Sequence, residues 1–94
     1  MTITELKVVI TGSGLASVSI DPYHSSSRTP VPIGSSVPTD ILTNVTAINN
    51  TTTGYVTTSF NDATIPSGSW IIMRVSSSNG SPTQISCLFT YTLD

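Results

Sequence analysis

The stretch Ile65-Pro66-Ser67-Gly68-Ser69-Trp70-Ile71-Ile72-Met73 decides the fold class of this chain. A Pro-Ser-Gly turn leads directly into a strand, and the side chains of a strand point alternately to its two faces. Both faces of this strand are apolar, so both must be covered, yet 94 residues provide little protein to cover them. We therefore expect part of the cover to come from another copy of the chain or from a partner.

Length and composition indicate one domain over residues 1–94. A single cysteine cannot form a disulfide within the chain, so stability must come from packing, in part between subunits. Three basic and five acidic residues form no basic stripe, which argues against a nucleic-acid partner. The first residues lack the pattern of a signal peptide, and no apolar run has the length of a membrane helix. We expect no contact with a membrane.

Strand signals recur along the chain, and helix signals are nearly absent. The predicted strands lie at about 5–11, 15–20, 41–48, 54–60, 70–76 and 83–92. Gly12-Ser13-Gly14 predicts a hairpin between the first two strands, and Asn79-Gly80 predicts a hairpin between the last two. Strands of this length separated by turns predict an all-β, antiparallel β-sandwich, with a jelly roll as the expected form.

A Pro/Ser-rich segment over residues 21–39 interrupts this pattern. It contains four of the six prolines and the run Ser25-Ser26-Ser27. Proline removes a ladder donor and fixes the backbone, so we expect an ordered loop or arm here rather than a central strand. Long loops of this kind are uncommon in compact domains and often carry function, so we expect this one to contact a neighbour.

Residues that could carry catalysis or bind a metal are few. His24 is the only histidine, and although Ser25 and Asp21 or Asp40 could join it, no nucleophile-elbow motif is present. We expect His24 to lie at the surface or in an interface. Cys87 alternates with apolar residues, so we expect a small buried side chain rather than a reactive thiol. Scattered acidic residues make no metal-ligand cluster. The sequence predicts no enzyme, no cofactor and no bound metal.

The aromatic residues permit two interpretations. Tyr23, Tyr55, Tyr91 and Trp70 could form a platform for sugar rings, since aromatic faces suit sugars and the loops are rich in hydroxyl groups. Alternatively these side chains pack a core or a subunit interface, which is the interpretation we favour.

The last forty or so residues resemble small jelly-roll domains of tailed-phage virions. The resemblance rests on Gly54-Tyr55-Val56, on Ala63-Thr64-Ile65-Pro66-Ser67-Gly68-Ser69-Trp70-Ile71, and on a closing strand with Ile85-Ser86 and Tyr91. Such domains occur in capsid cement proteins, head fibres and tail-fibre tips, where they usually form trimers. The Pro-rich segment before them matches no pattern of that kind.

The resemblance implies a structural protein of a virion. We expect a trimeric capsid cement, or decoration, protein that binds the major capsid protein at the surface of the phage head. It would be made in the host cytoplasm without a signal peptide. The alternative is a receptor-binding fibre tip or lectin-like module, which would bind a host surface glycan. The residues expected at the oligomer or partner interface are Trp70, Ile71, Ile72, Met73, Pro30, Pro32 and Tyr23.

Overall fold

The computed structural model describes residues 1–37, 39–50 and 53–94, with the side chains of Ser77 and Ser78 left aside. This part of the chain forms six strands and no helix. The strands are β1 (Thr2–Gly12), β2 (Ser17–Ser25), β3 (Thr46–Asn49), β4 (Tyr55–Thr57), β5 (Trp70–Asn79) and β6 (Pro82–Thr92). The all-β class is therefore confirmed. Within the described residues, no helix of the length and apolarity needed to span a membrane is found.

The strands form two antiparallel sheets of three strands each. The strand order is β4-β1-β6 in one sheet and β3-β2-β5 in the other, so β1 and β2 are the central strands. Leu6, Val8 and Ile10 of β1 are 0 to 1% exposed, as their alternation predicts. They meet Val18 and Ile20 of β2 in one cluster, so the central strands of both sheets share a core.

The two glycine turns are not hairpins, and this corrects the sequence prediction. β1 and β2 belong to different sheets, and so do β5 and β6, so each turn carries the chain from one sheet to the other. The two turns also touch. Gly80 has a φ of 64°, and a Cβ there would lie 2.7 Å from the nitrogen of Ala16. Glycine is required at this position both by the positive φ and by the close approach of the other turn.

Strand β2 continues into the segment that was expected to be a loop. Pro22 lies inside β2, opposite Met73 of β5. The carbonyl of Pro22 accepts a hydrogen bond from the Ile41 nitrogen, on the side of β2 that faces away from β5. Because N–H and C=O of one strand residue point to the same side, the missing N–H of Pro22 costs no bond to β5.

The other predicted boundaries hold less well in the middle of the chain. β3 and β4 are shorter than expected, because residues 41–45 and 58–60 leave the ladders. Ile41 and Leu42 are nevertheless buried, at 0 and 3% exposure, and they close the core beside β3. The turn predicted at residues 49–51 falls partly outside the described residues.

Candidate functional site

Strands β5 and β6 form the outer strands of the two sheets on the same side of the molecule. β5 is hydrogen-bonded to β2, and β6 to β1. In the part of the chain that the structure describes, neither strand has a partner strand on its other side. An unpaired edge presents a row of backbone donors and acceptors, which natural proteins usually protect with charges, prolines or covering loops. We call this region, formed by residues 70–79 and 82–92, the open side.

Burial falls abruptly between β1 and β6. Residues that pair across an antiparallel ladder lie on the same face of the sheet. Ile3 is 2% exposed, whereas its partner Tyr91 is 52% exposed. Val8 is fully buried, whereas its partner Cys87 is exposed. Cys87 and Tyr91 on the core face of β6 are therefore not covered by the described residues, whereas Ile85 and Phe89 on the same face are partly buried against the core.

The same fall in burial occurs between β2 and β5. Ile20 is fully buried, and its partner Val75 is 43% exposed. Met73 packs against the core but remains only partly buried. Among the described residues, β5 and β6 contribute no fully buried apolar side chain to the core. The core is thus covered more fully on the β3/β4 side, where Ile48 is 1% exposed and Tyr55 is partly buried, than on the open side.

Charge is almost absent from the open side. β6 has no charged residue, and the only charged residue of β5 is Arg74. Arg74 points to the opposite face of β5 from Met73 and Val75, and it is buried at 6% exposure. The open side therefore combines unpaired backbone, half-exposed apolar side chains and no charge, which is a composition that favours burial against another protein surface.

Arg74 holds the Pro/Ser-rich loop against the outer face of β2 and β5. Its Nε donates to the Asp21 carbonyl at 3.1 Å, and its Nη1 donates to the carbonyls of Pro32 at 3.1 Å and Ser35 at 2.9 Å. Its Nη2 donates to the Asp21 carboxylate and, at 2.9 Å, to the Asp40 carboxylate. All five donors of the guanidinium are thus used.

The hydroxyl of Tyr23 provides a second attachment for the loop. It donates to the Thr29 carbonyl at 3.4 Å and accepts from the Val31 nitrogen at 3.2 Å. The Arg74 guanidinium lies over the ring, 5.0 Å from its centroid, which adds a cation–π contact. The loop is therefore ordered and covers this chain's own sheet.

Burial, together with repulsion by Asp40, raises the pKa of Asp21, and Arg74 opposes that shift.

The residues expected at an interface differ in their exposure. Trp70 is 50% exposed, and the three residues that follow it are partly buried. Pro30 and Pro32 lie on the exposed side of the loop. Tyr23 is only 2% exposed, because the loop covers it, so a partner could reach its side chain only if the loop moved. Tyr23 is for the same reason not part of an exposed aromatic platform.

His24 and Cys87 both lie where the sequence did not predict them. His24 is buried at 4% exposure on the core face of β2, and its Nε2 lies 3.2 Å from the Asp62 carboxylate. That Nε2 has no hydrogen bond of good geometry within the described residues. Cys87 is exposed rather than buried, because none of the described residues covers the middle of the core face of β6. Partial desolvation still raises the pKa of its thiol.

A cavity of about 600 Å³ lies between the loop and the Pro-Ser-Gly turn. Serine and threonine form most of its rim, with Pro66 and the backbone around His24 beside them. The hydroxyl residues among its lining are Ser25, Ser26, Ser27, Thr29, Thr39, Ser67 and Ser69. Across residues 1–37, 39–50 and 53–94, His, Cys, Asp and Glu side chains form no group of three or more that could hold a metal ion.

Sequence reasoning missed the Arg74 cluster. A single arginine inside an apolar run was the available signal, because a charge in such a position is buried only when it is paired. Its partners Asp21 and Asp40 were visible only as isolated acids. Comparison with family models, with curated proteins and with solved structures finds no match to this chain.

Proposed function

We propose that this protein is a structural protein of a phage virion, namely a trimeric cement protein that binds the major capsid protein on the surface of the head. The assignment to a virion rests on the resemblance of residues 54–91 to small virion jelly-roll domains. The assignment to an assembled protein rests on the open side, where the paired residues Ile3 and Tyr91 are 2% and 52% exposed. That difference is the observation that carries the proposal.

The strand order supports the finer fold that this function implies. We infer that the two sheets stack as a β-sandwich, because β1 and β2 are central in their sheets and share one cluster of buried side chains. The two crossings, at residues 13–16 and 80–81, lead from one sheet to the other at the same end. A jelly roll usually has eight strands, so the six strands of the described residues would be a reduced form of it.

The arrangement suits a cement protein because it offers several uncharged surfaces on a rigid body. The open side can complete the trimer, while the exposed Pro30 and Pro32 remain available to the capsid. Arg74 fixes the loop that carries them, so little conformational entropy is lost when the loop docks. Cement proteins stabilise a shell by binding its assembled form in preference to its separate subunits.

Capsids stripped of the protein provide the test. Purified protein is added back at low and high salt, and the temperature of shell rupture is measured. We expect rupture to shift to higher temperature with occupancy and the shift to persist at high salt, since apolar burial is not screened. A Pro30→Glu, Pro32→Glu variant should fold normally and protect less. If the wild-type protein gives no protection, it is not a cement protein.

The cavity of about 600 Å³ favours a second candidate, a glycan-binding fibre tip. Its size is within the range of small-molecule sites, and its rim is rich in hydroxyl groups that can hydrogen-bond a sugar. Saturable binding of host surface polysaccharide, weakened by Ser67→Trp at the rim and accompanied by no protection of capsids, would favour this function over the first.

A further inference from the structure

We propose that the open sides of three copies of this chain meet around a common axis, so that the inter-subunit core is built mainly from the core-facing side chains of β6. This rests on the proposed trimer but not on its attachment to a capsid. The side chains concerned are Ile85, Cys87, Phe89 and Tyr91 of β6, with Met73 and Val75 of β5 beside them.

The first argument is the position of these side chains. They face the core, as their pairing with Ile3, Leu6, Val8 and Ile10 requires, yet Tyr91 is half exposed and Cys87 is exposed. A residue on the outer surface of a sheet can be apolar by chance. Inward-pointing side chains that are only partly buried, as Ile85 and Phe89 are, or exposed, as Cys87 and Tyr91 are, indicate that the interior continues into another molecule.

The second argument concerns charge. β6 carries no charged residue, and every donor of Arg74 is used within its own chain. A charged partner would find nothing to pair with on this surface. Identical copies can meet here without like-charge repulsion, which a surface carrying several charges of one sign would not allow. A second copy is therefore the occupant that fits.

The third argument concerns size. A strand of ten residues is about 34 Å long, and the shortest extent of the molecule is 19 Å. A side made of β5 and β6 therefore measures roughly 650 Å² for each copy, and in a trimer this area is shared between two neighbours. It is below the about 800 Å² that each partner buries in one standard interface, so we expect the assembly to depend on protein concentration.

The fourth argument concerns symmetry. The open side contains two different strand edges, one from β5 and one from β6. A ring forms when one surface of a subunit meets a different surface of the next and the rotation closes. β5 of one copy beside β6 of the next gives such a heterologous contact. A two-fold axis along the strands would also place β5 beside β6 of the partner, so the count of three is taken from the proposed trimer.

The lone cysteine makes the proposal directly testable in the wild-type protein, because each chain has one thiol and the proposed interface buries it. We expect a maleimide to label Cys87 in dilute protein, where the separate chain exposes the thiol, and labelling to be lost at concentrations where the protein is assembled. The matched control moves the thiol to the closed side with Thr43→Cys in a Cys87→Ser background, since Thr43 is exposed beside the buried Leu42. Labelling of the control should not depend on assembly.

Two substitutions on β6 test whether its core face, rather than its outer face, forms the interface. Tyr91 and Leu88 have similar exposure, 52 and 58%, but Leu88 pairs with Lys7 on the outer face of the sheet. Tyr91→Lys should raise the dissociation constant at least about a hundredfold, because the charge would be buried among apolar side chains. Leu88→Lys should leave it unchanged. Sedimentation equilibrium measures both, with circular dichroism as the check on folding.

The outcomes separate this proposal from the proposed function. A wild-type chain that stays monomeric at high concentration overturns both this interface and the trimeric cement protein. A trimer in which Cys87 is labelled as readily as in dilute protein, or that survives Tyr91→Lys, overturns only the interface, and capsid protection can still be observed. Loss of Cys87 labelling on assembly together with dissociation by Tyr91→Lys confirms the interface whether or not the protein protects a capsid.

Discussion

The two sides of this molecule differ in how fully they cover the hydrophobic core. Beside β3 and β4, the irregular residues Ile41 and Leu42 fold over the core, and Ile48 completes it at 1% exposure. Beside β5 and β6, two long strands leave Val75 and Tyr91 about half exposed and Cys87 exposed, although each ladder spans most of its strand. The comparison teaches that long paired strands do not by themselves ensure burial. On the closed side, short strands with irregular flanking residues cover the core more fully.

Within β5, the two faces repeat this contrast on a smaller scale. The outer face is covered by the chain's own loop, which Arg74 and Tyr23 attach. The core face, with Met73 and Val75, has only the central strands to pack against. The long loop between β2 and β3 thus covers the outer face of the sheet. Among the described residues, no segment covers the open side in the same way.

The largest expected loss of stability comes from removing the Arg74 side chain, which attaches the loop to the outer face of β2 and β5. Arg74→Met would leave the buried Asp21 carboxylate without its cation, and the free energy of unfolding should fall by about 3–5 kcal/mol. For a small domain this is a large share of the total stability. Urea denaturation measures the change, and Arg28→Met, at an exposed position of the loop, should change it by less than about 0.5 kcal/mol. A similar small loss for Arg74→Met would mean that the cluster does not stabilise the fold.

The second prediction compares the loss of stability on truncating Ile20 with that on truncating Val75, which pair across the β2/β5 ladder. Ile20→Ala should lower the free energy of unfolding by about 2–5 kcal/mol at every protein concentration, because Ile20 is fully buried within the chain. Val75→Ala should cost under about 1 kcal/mol in dilute solution, where its side chain is half exposed. Its cost should grow with protein concentration as subunits assemble. If both variants lost the same free energy of unfolding at every protein concentration, the proposed difference between the core and the open side would be wrong.

A smaller effect is the pH dependence that Asp21 introduces. Burial raises its pKa above the ordinary value of 3.8, so the folded protein binds a proton there more readily than the unfolded chain. Stability attributable to Asp21 is therefore greatest at acid pH and declines as the pH rises through the raised pKa. Relative to Asp21→Asn, the wild-type protein should lose stability on going from acid towards neutral pH. A difference that grows in the opposite direction would mean that Arg74 outweighs the burial.

The smallest expected effect is that of salt on assembly. The open side lacks charge, so the dissociation constant should change less than about twofold between about 0.1 and 1 M salt, although the screening length falls from about 10 to 3 Å. Analytical ultracentrifugation at both concentrations gives the comparison. A tenfold weakening at high salt would indicate that charged residues elsewhere, such as Lys7 or Glu5, carry the contact instead.

Alternation was the part of the structure most accessible from the sequence. Leu6, Val8 and Ile10 were predicted on one face of β1, and all three are buried. The two-faced apolar strand after Pro66 was also predicted, and it is β5. The prediction of two hairpins failed, since a glycine turn reverses the chain but does not determine which sheet the next strand joins. That choice depends on where a core can be buried, which is a property of the whole chain.

The sequence by itself determined the all-β class, the strand faces and the near absence of charge, because these depend on the period of two and on composition. Only the tertiary structure decided which strands became edges and which polar groups became buried. Arg74, Asp21 and Asp40 are far apart along the chain and meet because β2, β5 and the loop converge. Cys87 was predicted to be buried because its strand is apolar, but burial requires a covering neighbour. In the part of the chain that the structure describes, no neighbour covers Cys87.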